Sequence, residues 1–319
     1  MNSARTLSAV VTATIPLLLA AANADTLCIN SGSMGLDGDA TDTSLVTLFK
    51  PGAIAAGGDF STEYGIDGNQ NGAYSRLSHK AVLNTAAPFS IEFWAYPYSS
   101  DNDDAPVDNR IAVGDRSGWA FFQRAAGTGW NFRMYNGVGS QMAFNLTGGT
   151  STLFAWSHVV ATWDGSVAKL YVNGVATNAL NDIPAGQSTT YNPSTTATLT
   201  LGALGDNSSP YRGQVDEVAF YSTELSPAQI AAHYSTASSP VAGAYSALVQ
   251  NDGALVYYQQ NDANVAIANQ GADKVVSFRG ILSQSADLSE ESWTDLEVTS
   301  PYTVTPGPGT PRLFFRARR

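Results

Sequence analysis

Trp156-Ser157-His158-Val159-Val160-Ala161-Thr162-Trp163-Asp164-Gly165-Ser166-Val167-Ala168-Lys169-Leu170-Tyr171-Val172-Asn173-Gly174-Val175 is the stretch on which the fold turns. Two short apolar runs, Val159 to Thr162 and Lys169 to Val172, flank Trp163-Asp164-Gly165-Ser166, and Asn173-Gly174 follows before Val175. Asp-Gly and Asn-Gly tolerate the positive φ angles of tight hairpin turns, so this stretch reads as a meander of antiparallel strands.

The same pattern extends on both sides. In Phe89-Ser90-Ile91-Glu92-Phe93 apolar and polar residues alternate, so one face packs on a core and the other looks outward. Thr198-Leu199-Thr200-Leu201 alternates cleanly, and Val215 to Tyr221 mixes Asp216 and Glu217 with Val218 and Phe220. Charged residues make up only 13% of the chain, and from Phe89 to Tyr221 short apolar runs are separated by Gly, Asn, Asp and Pro. That spacing belongs to a sandwich or barrel. One helix stands out: Ser226-Pro227-Ala228-Gln229 offers an N-cap hydroxyl, a proline at the first helical position and a glutamine placed to complete a capping box. It predicts a short closing helix with Ile230 and Tyr234 packing down. His233 reads as an ordinary helix residue.

Six fragments in order resemble the laminin-G-like jelly roll of the concanavalin A-like lectin/glucanase superfamily. They are Phe89 to Trp94, Trp156 to Gly165, Lys169 to Gly174, Leu199-Thr200-Leu201-Gly202, Tyr211 to Val218, and the helix start at Leu225-Ser226-Pro227. The resemblance implies an all-β, two-sheet antiparallel jelly-roll sandwich over about residues 29 to 236. It also implies binding of glycans, proteins or matrix, often with calcium. Many relatives carry a cysteine pair near the end of the domain; Cys28 is the only cysteine here, so that staple is missing. A lone thiol leaves two fates, a bond to another chain or burial as an inert apolar residue.

Residues 1–24 read as an address. Arg5 precedes an apolar run from Leu7 through Ala22, and Ala22-Asn23-Ala24 supplies a small-x-small cleavage pattern, so the expectation is a signal peptide and export to the periplasm, cell surface or medium. Nothing after Ala24 reaches membrane-spanning length. Of the 16 basic residues only Arg5 falls in this leader, so 15 face 27 acidic ones in the remainder. A formal charge near −12 argues against a nucleic-acid partner and favours cations at the surface.

Catalytic patterns are missing. Retaining glycosidases need two carboxylates roughly 5 Å apart across a cleft, and alternation along a strand would send the adjacent Asp216 and Glu217 to opposite faces. Glu92 stands alone and reads as a solvated strand residue. There is no Gly-x-Ser-x-Gly, His-Glu-x-x-His or phosphate loop, and His79, His158 and His233 are scattered. The expectation is a non-enzyme; the alternative is a glycoside hydrolase or lyase with an unfamiliar site.

Asp67-Gly68-Asn69-Gln70-Asn71-Gly72 alternates oxygen-bearing side chains like the first half of an EF-hand loop, but Ser78 stands where the bidentate carboxylate should be. Asp67, Asn69 and Asn71, joined by Asp216, are the candidate calcium ligands, with a polar turn as the alternative. The stretches Asp37, Asp39, Asp42 and Asp101, Asp103, Asp104, Asp108 read as solvated loops. For stacking on sugar rings the candidates are Trp119, Trp130, Tyr135 and Tyr211.

The organisation expected is a laminin-G-like domain at residues 25–236, a linker and partial repeat at 237–279 and a small β module at 280–319. Ser235 to Pro240 is linker-like, and Tyr245 to Asp262 with Ile267 to Gly271 looks like the opening of another such unit, comparable with Cys28-Ile29-Asn30-Ser31-Gly32; the two readings are the remnant of a tandem array and an added strand pair. The function expected is an exported binding or adhesion protein for glycans or extracellular protein ligands.

Overall fold

The computed structural model describes residues 26–43, 45–56, 59–65, 72–100, 103–111, 113–125, 128–261, 264–270, 273–279, 281–286, 289, 292–298, 302–305 and 313–318. The chain divides into two compact units, Cys28–Gln260 and a smaller one formed mainly by Asn261–Arg319.

The larger unit is a sandwich of two antiparallel sheets. From the edge strand that ends at Cys28, the first sheet runs Ala40–Asp42, Ser75–Leu77, Leu199–Leu201, Val107–Arg110, Gly118–Gln123, Trp130–Tyr135 and Met142–Gly148. The second runs Val175–Ala176, Ala168–Val172, Ser157–Trp163, Phe89–Pro97, Gly213–Tyr221, Phe60–Tyr64 and Thr47–Pro51. The opening meander forms as its turns dictate: Asn173 at φ 52° and Gly174 at φ 77° link Ala168–Val172 to Val175–Ala176. Period 2 then sorts Phe89–Pro97. Phe89, Ile91, Phe93 and Ala95 enter the core between the sheets with Trp119, Phe121, Trp130 and Phe132. Each of these rings stabilises the fold by about 1.5–3 kcal/mol through burial.

The other face of the second sheet is covered as well. Helix α1, Pro227–Thr236, starts with the expected capping box: Gln229 N donates to Ser226 Oγ and Ser226 N donates to the Gln229 side chain. Ile230 is fully buried, but the second buried helix residue is His233, whereas Tyr234 stays 39% exposed while stacking on Trp94. A second helix, α2, Ala244–Asn251, buries Tyr245 and Val249. Trp94, Val160, Tyr171 and Tyr221 of the sheet pack with Ile230, Tyr245 and Val249 in a second core.

Residues 237–260 are therefore not a linker. The strand Ala254–Tyr258 pairs with the second half of Gly213–Tyr221, and Ser31 N donates to Tyr257 O. What resembles the start of another unit instead completes this one, because the sheet has an unpaired edge beyond Val215. Cys28 is buried, its thiol 3.6 Å from Gln260 Oε1. The smaller unit has two three-stranded sheets, one of Asn264–Gln270, Asp273–Arg279 and Tyr302–Val304, the other of Thr294–Asp295, Ile281–Ser285 and Phe314–Arg318. Val276, Phe278, Leu282, Phe315 and Ala317 form its core. No helix among the described residues is long and apolar enough to cross a membrane.

Candidate functional site

Beneath α1 the second sheet carries ionisable side chains that its alternation had suggested were solvated. Glu92 is fully buried. Tyr221 OH donates to its Oε1 at 2.6 Å, His233 Nδ1 lies 2.8 Å from Oε2, and His158 Nε2 lies 3.3 Å from Oε2. His233 Nε2 meets Asp252 Oδ2 at 2.9 Å. With a carboxylate at each ring nitrogen, the imidazolium form of His233 is the one that donates to both, and this arrangement favours it. Burial by itself would raise the Glu92 carboxyl, yet the charge and hydrogen bonds of His233 and the hydrogen bond of His158 hold it down at about 2. Burial opposes the His233 charge too, but Glu92 and Asp252 raise it above its ordinary value. The readings of Glu92 as solvated and of His233 as ordinary are thus corrected: α1 covers that face of the strand.

Next to this network the strand Gly213–Tyr221 breaks its alternation. Its register against Phe89–Pro97 slips between Asp216 and Ala219, and Glu217 takes φ 51°. This bulge brings the carboxylates of the adjacent Asp216 and Glu217 together with that of Asp59, with oxygens all within 4.8 Å of one another. The expectation that neighbours on a strand must diverge fails here for that reason. Ala53 N donates to Asp216 Oδ2 at 2.8 Å, Ile54 N to Asp59 Oδ2 at 2.7 Å, and Tyr257 OH to Glu217 Oε2. Burial and then the charge of Asp59 push Asp216 and Glu217 well above the usual carboxylate range. Backbone comes close on one side: a Cβ on Gly52 would stand 2.1 Å from Asp59 Oδ2 and 2.8 Å from Asp216 Oδ2. Three clustered hard oxygen donors suit calcium rather than a softer metal.

A third feature is open to solvent. A groove of about 430 Å³ lies between the loop after Met142–Gly148 and the hairpin at Asn173-Gly174. The half-buried Trp156 lines it together with Thr150, Thr152, Ser157, Asn173 and Thr177, and no lining residue is charged. The loop approaches the hairpin so closely that a Cβ on Gly149, at φ 69°, would fall 2.5 Å from Val172 Cγ2. Trp156 also contacts Tyr96, ring centroids 5.3 Å apart.

The residues expected to bind sugars do not form a surface. Trp119, Trp130 and Tyr211 are wholly buried in the core between the sheets, and Tyr135 is 1% exposed beneath the Arg110 guanidinium, 5.3 Å from its ring centroid. Burying these large rings is what holds the sandwich together, so none is free to stack on a ligand. Asp67, Asn69 and Asn71 lie outside the described residues, as does Asp101, and Asp216 stands with Asp59 and Glu217. Three aspartates taken as solvated are buried: Asp42 accepts from the Ser75 hydroxyl, Asp104 pairs with Arg212 at 2.9 Å, and burial raises Asp108 to about 7. Trp156 had a signal that went unused, since Leu153-Phe154-Ala155-Trp156 puts large apolar residues into a loop. Asp59 had none.

A sequence model described as the concanavalin A-like lectin/glucanases superfamily matches residues 67–231. No curated protein sequence matches the chain. Among solved structures, a heptameric SAP-like pentraxin from Limulus polyphemus is 13% identical, with 57% of this chain and 85% of that one covered and a TM-score of 0.42. Trypanosoma rangeli sialidase in complex with the inhibitor DANA is 12% identical over 63% of this chain but only 30% of its own, TM-score 0.42. A candidate carbohydrate binding protein from Bacteroides ovatus is 14% identical over 68% of this chain and 54% of its own, TM-score 0.43. These are likenesses of fold.

Proposed function

The chain belongs to the concanavalin A-like lectin/glucanase superfamily, and on that footing we propose that it is an exported, non-catalytic glycan-binding protein. The observation that carries this reading is the open groove, where the half-buried Trp156 stands among hydroxyl and amide side chains. An aromatic face meets the apolar face of a sugar ring while short polar groups bond its hydroxyls. Export is supported by the apolar run from Leu7 to Ala22 and the Ala22-Asn23-Ala24 pattern.

The absence of turnover is a proposal supported by access. Glu92, Asp216 and Glu217 are at most 2% exposed, so a glycosidic bond could not reach between them. Their role is structural on this reading, with calcium held by Asp59, Asp216 and Glu217. A cation there would neutralise carboxylates that burial and mutual repulsion otherwise disfavour.

The test is a glycan array probed with purified residues 25–319, followed by incubation with the polysaccharides that bind. Retention without new reducing ends or unsaturated products is the expected result. Cleavage abolished by Glu92→Gln or Glu217→Gln in a variant that still unfolds cooperatively would overturn the non-catalytic reading, and failure to retain any glycan would remove the reading altogether.

A further inference from the structure

Phe154 carries two costs that its fold does not repay. Its backbone sits at φ 56°, a left-handed conformation that disfavours a bulky residue by about 1–2 kcal/mol, and the residue is 62% exposed. A strained residue that displays an apolar ring to water is a mark of use at the surface.

The ring does not stand alone. It stacks on Tyr98 with centroids 6.0 Å apart and planes 28° apart. Tyr98 meets Tyr96 edge-on, centroids 5.8 Å and planes 82° apart, and Tyr96 meets Trp156 at 5.3 Å with planes 59° apart, so a chain of ring contacts that alternate face and edge leads from Phe154 to the wall of the groove. The strip is held in place from below. Tyr98 OH donates to the buried Glu63 and accepts from Gln214 Nε2 at 2.6 Å, while Gln214 Oε1 accepts from Ser61 at 2.6 Å. Phe154 N donates to Pro97 O at 2.8 Å. Rings fixed before a ligand arrives lose little freedom when it binds.

Charge narrows the ligand class. A carboxylated or sulfated glycan needs arginine or lysine, whereas the groove offers none, and Glu63 beneath the strip is already matched by Lys50 at 3.1 Å. The acidic balance of the whole chain further opposes polyanions.

We propose that the groove and the strip Phe154, Tyr98, Tyr96 and Trp156 form one extended site for an uncharged polysaccharide chain, whose sugar rings meet Phe154 at one end and Trp156 at the other. This rests on the glycan-binding reading above and adds to it the site and the charge class of its ligand.

The experiment uses residues 25–319 in affinity electrophoresis and calorimetry with laminarin, xyloglucan and galactomannan as uncharged probes. Polygalacturonate, alginate and chondroitin sulfate are the charged ones. Trp156→Ala and Phe154→Gly remove the two ends of the strip, and Leu36→Ala removes an exposed apolar residue elsewhere. Phe154→Gly relieves the backbone strain, so its melting temperature should equal or exceed that of the parent while affinity for an uncharged polymer falls about tenfold or more. A ring that served packing would instead lower the melting temperature when removed. The expected result is binding of an uncharged probe, weakened by Trp156→Ala and Phe154→Gly and untouched by Leu36→Ala. Preference for a charged polymer, or binding indifferent to both strip variants, would overturn the site while leaving the glycan reading intact. Retention of no polysaccharide would remove both. Dimerisation in sedimentation that Phe154→Gly abolishes would assign the strip to a second copy of the chain and overturn the proposal.

Discussion

Glu92 shows how much one residue can depend on partners far along the chain. His233, 141 positions away, supplies the charge that keeps it ionised in the interior. Removing one member of a buried ion pair strands the other, so Glu92→Gln should destabilise the fold by about 3–5 kcal/mol in chemical denaturation. The pH dependence has two limbs. Glu92 is depressed to about 2 from 4.5, so its contribution, about 3 kcal/mol shared with His233, is present above pH 4.5 and lost as pH falls toward 2. His233 is raised above 6.5, so its contribution is complete below 6.5 and lost as pH rises through the higher folded value. Parent and Glu92→Gln should therefore differ most between about pH 4.5 and 6.5. A constant difference across that range and beyond it would disprove the coupling. None of this was legible locally. Alternation places Glu92 opposite Phe93 but says nothing of a helix that arrives later to cover it.

At the scale of elements, the capping box and the bulge stand at opposite ends of legibility. Ser226 and Gln229 are three residues apart and satisfy each other's backbone, so the start of α1 could be read directly. Ser226→Ala should cost about 1 kcal/mol, visible as a lower melting temperature. The bulge at Asp216 and Glu217 could not be read, because its positive φ falls on a glutamate rather than a glycine. It creates the prediction for calcium. If the ion binds only the folded chain, it should stabilise by about 2.7 kcal/mol at a hundredfold excess over its dissociation constant. Asp216 and Glu217 have raised folded values, so without calcium their effect has the opposite sign to that of Glu92. Stability is lost as pH rises above the usual carboxylate range. Thermal unfolding with calcium and with chelator should therefore show a shift that grows with pH. Asp216→Asn should raise the chelator midpoint and abolish the shift; an undiminished shift in that variant would place the ion elsewhere.

For the whole molecule, the unit boundary at Gln260 separates two kinds of truncation. Residues 25–260 retain both sheets, α1, α2 and Ala254–Tyr258, so they should unfold in one cooperative transition. Residues 25–236, the domain as its sequence suggests it, lack α2 and the strand beside Val218 to Tyr221. Tyr245, Val249, Val256 and Tyr257 would leave the cores they complete. That shorter chain should expose apolar surface, bind a hydrophobic dye and lose its sharp transition. If both truncations melted alike, residues 237–260 would be dispensable after all.

What the sequence determined by itself is what neighbouring residues impose on each other. Asn-Gly at 173 and 174 could only turn, Phe89 to Ala95 could only send alternate side chains to one core, and Ser226 to Gln229 could only begin a helix. From these came the sandwich and its family. Tertiary structure alone decided which side chains meet water and which meet each other. It buried Trp119, Trp130, Tyr135 and Tyr211, left Phe154 exposed and Trp156 half-buried, gathered Asp59 with Asp216 and Glu217, and folded residues 237–260 into the sandwich. The physical reason is range. Backbone sterics, caps and strand period act across a few residues, whereas burial and charge coupling depend on chain segments from tens to more than a hundred positions apart that only the completed sheets bring together.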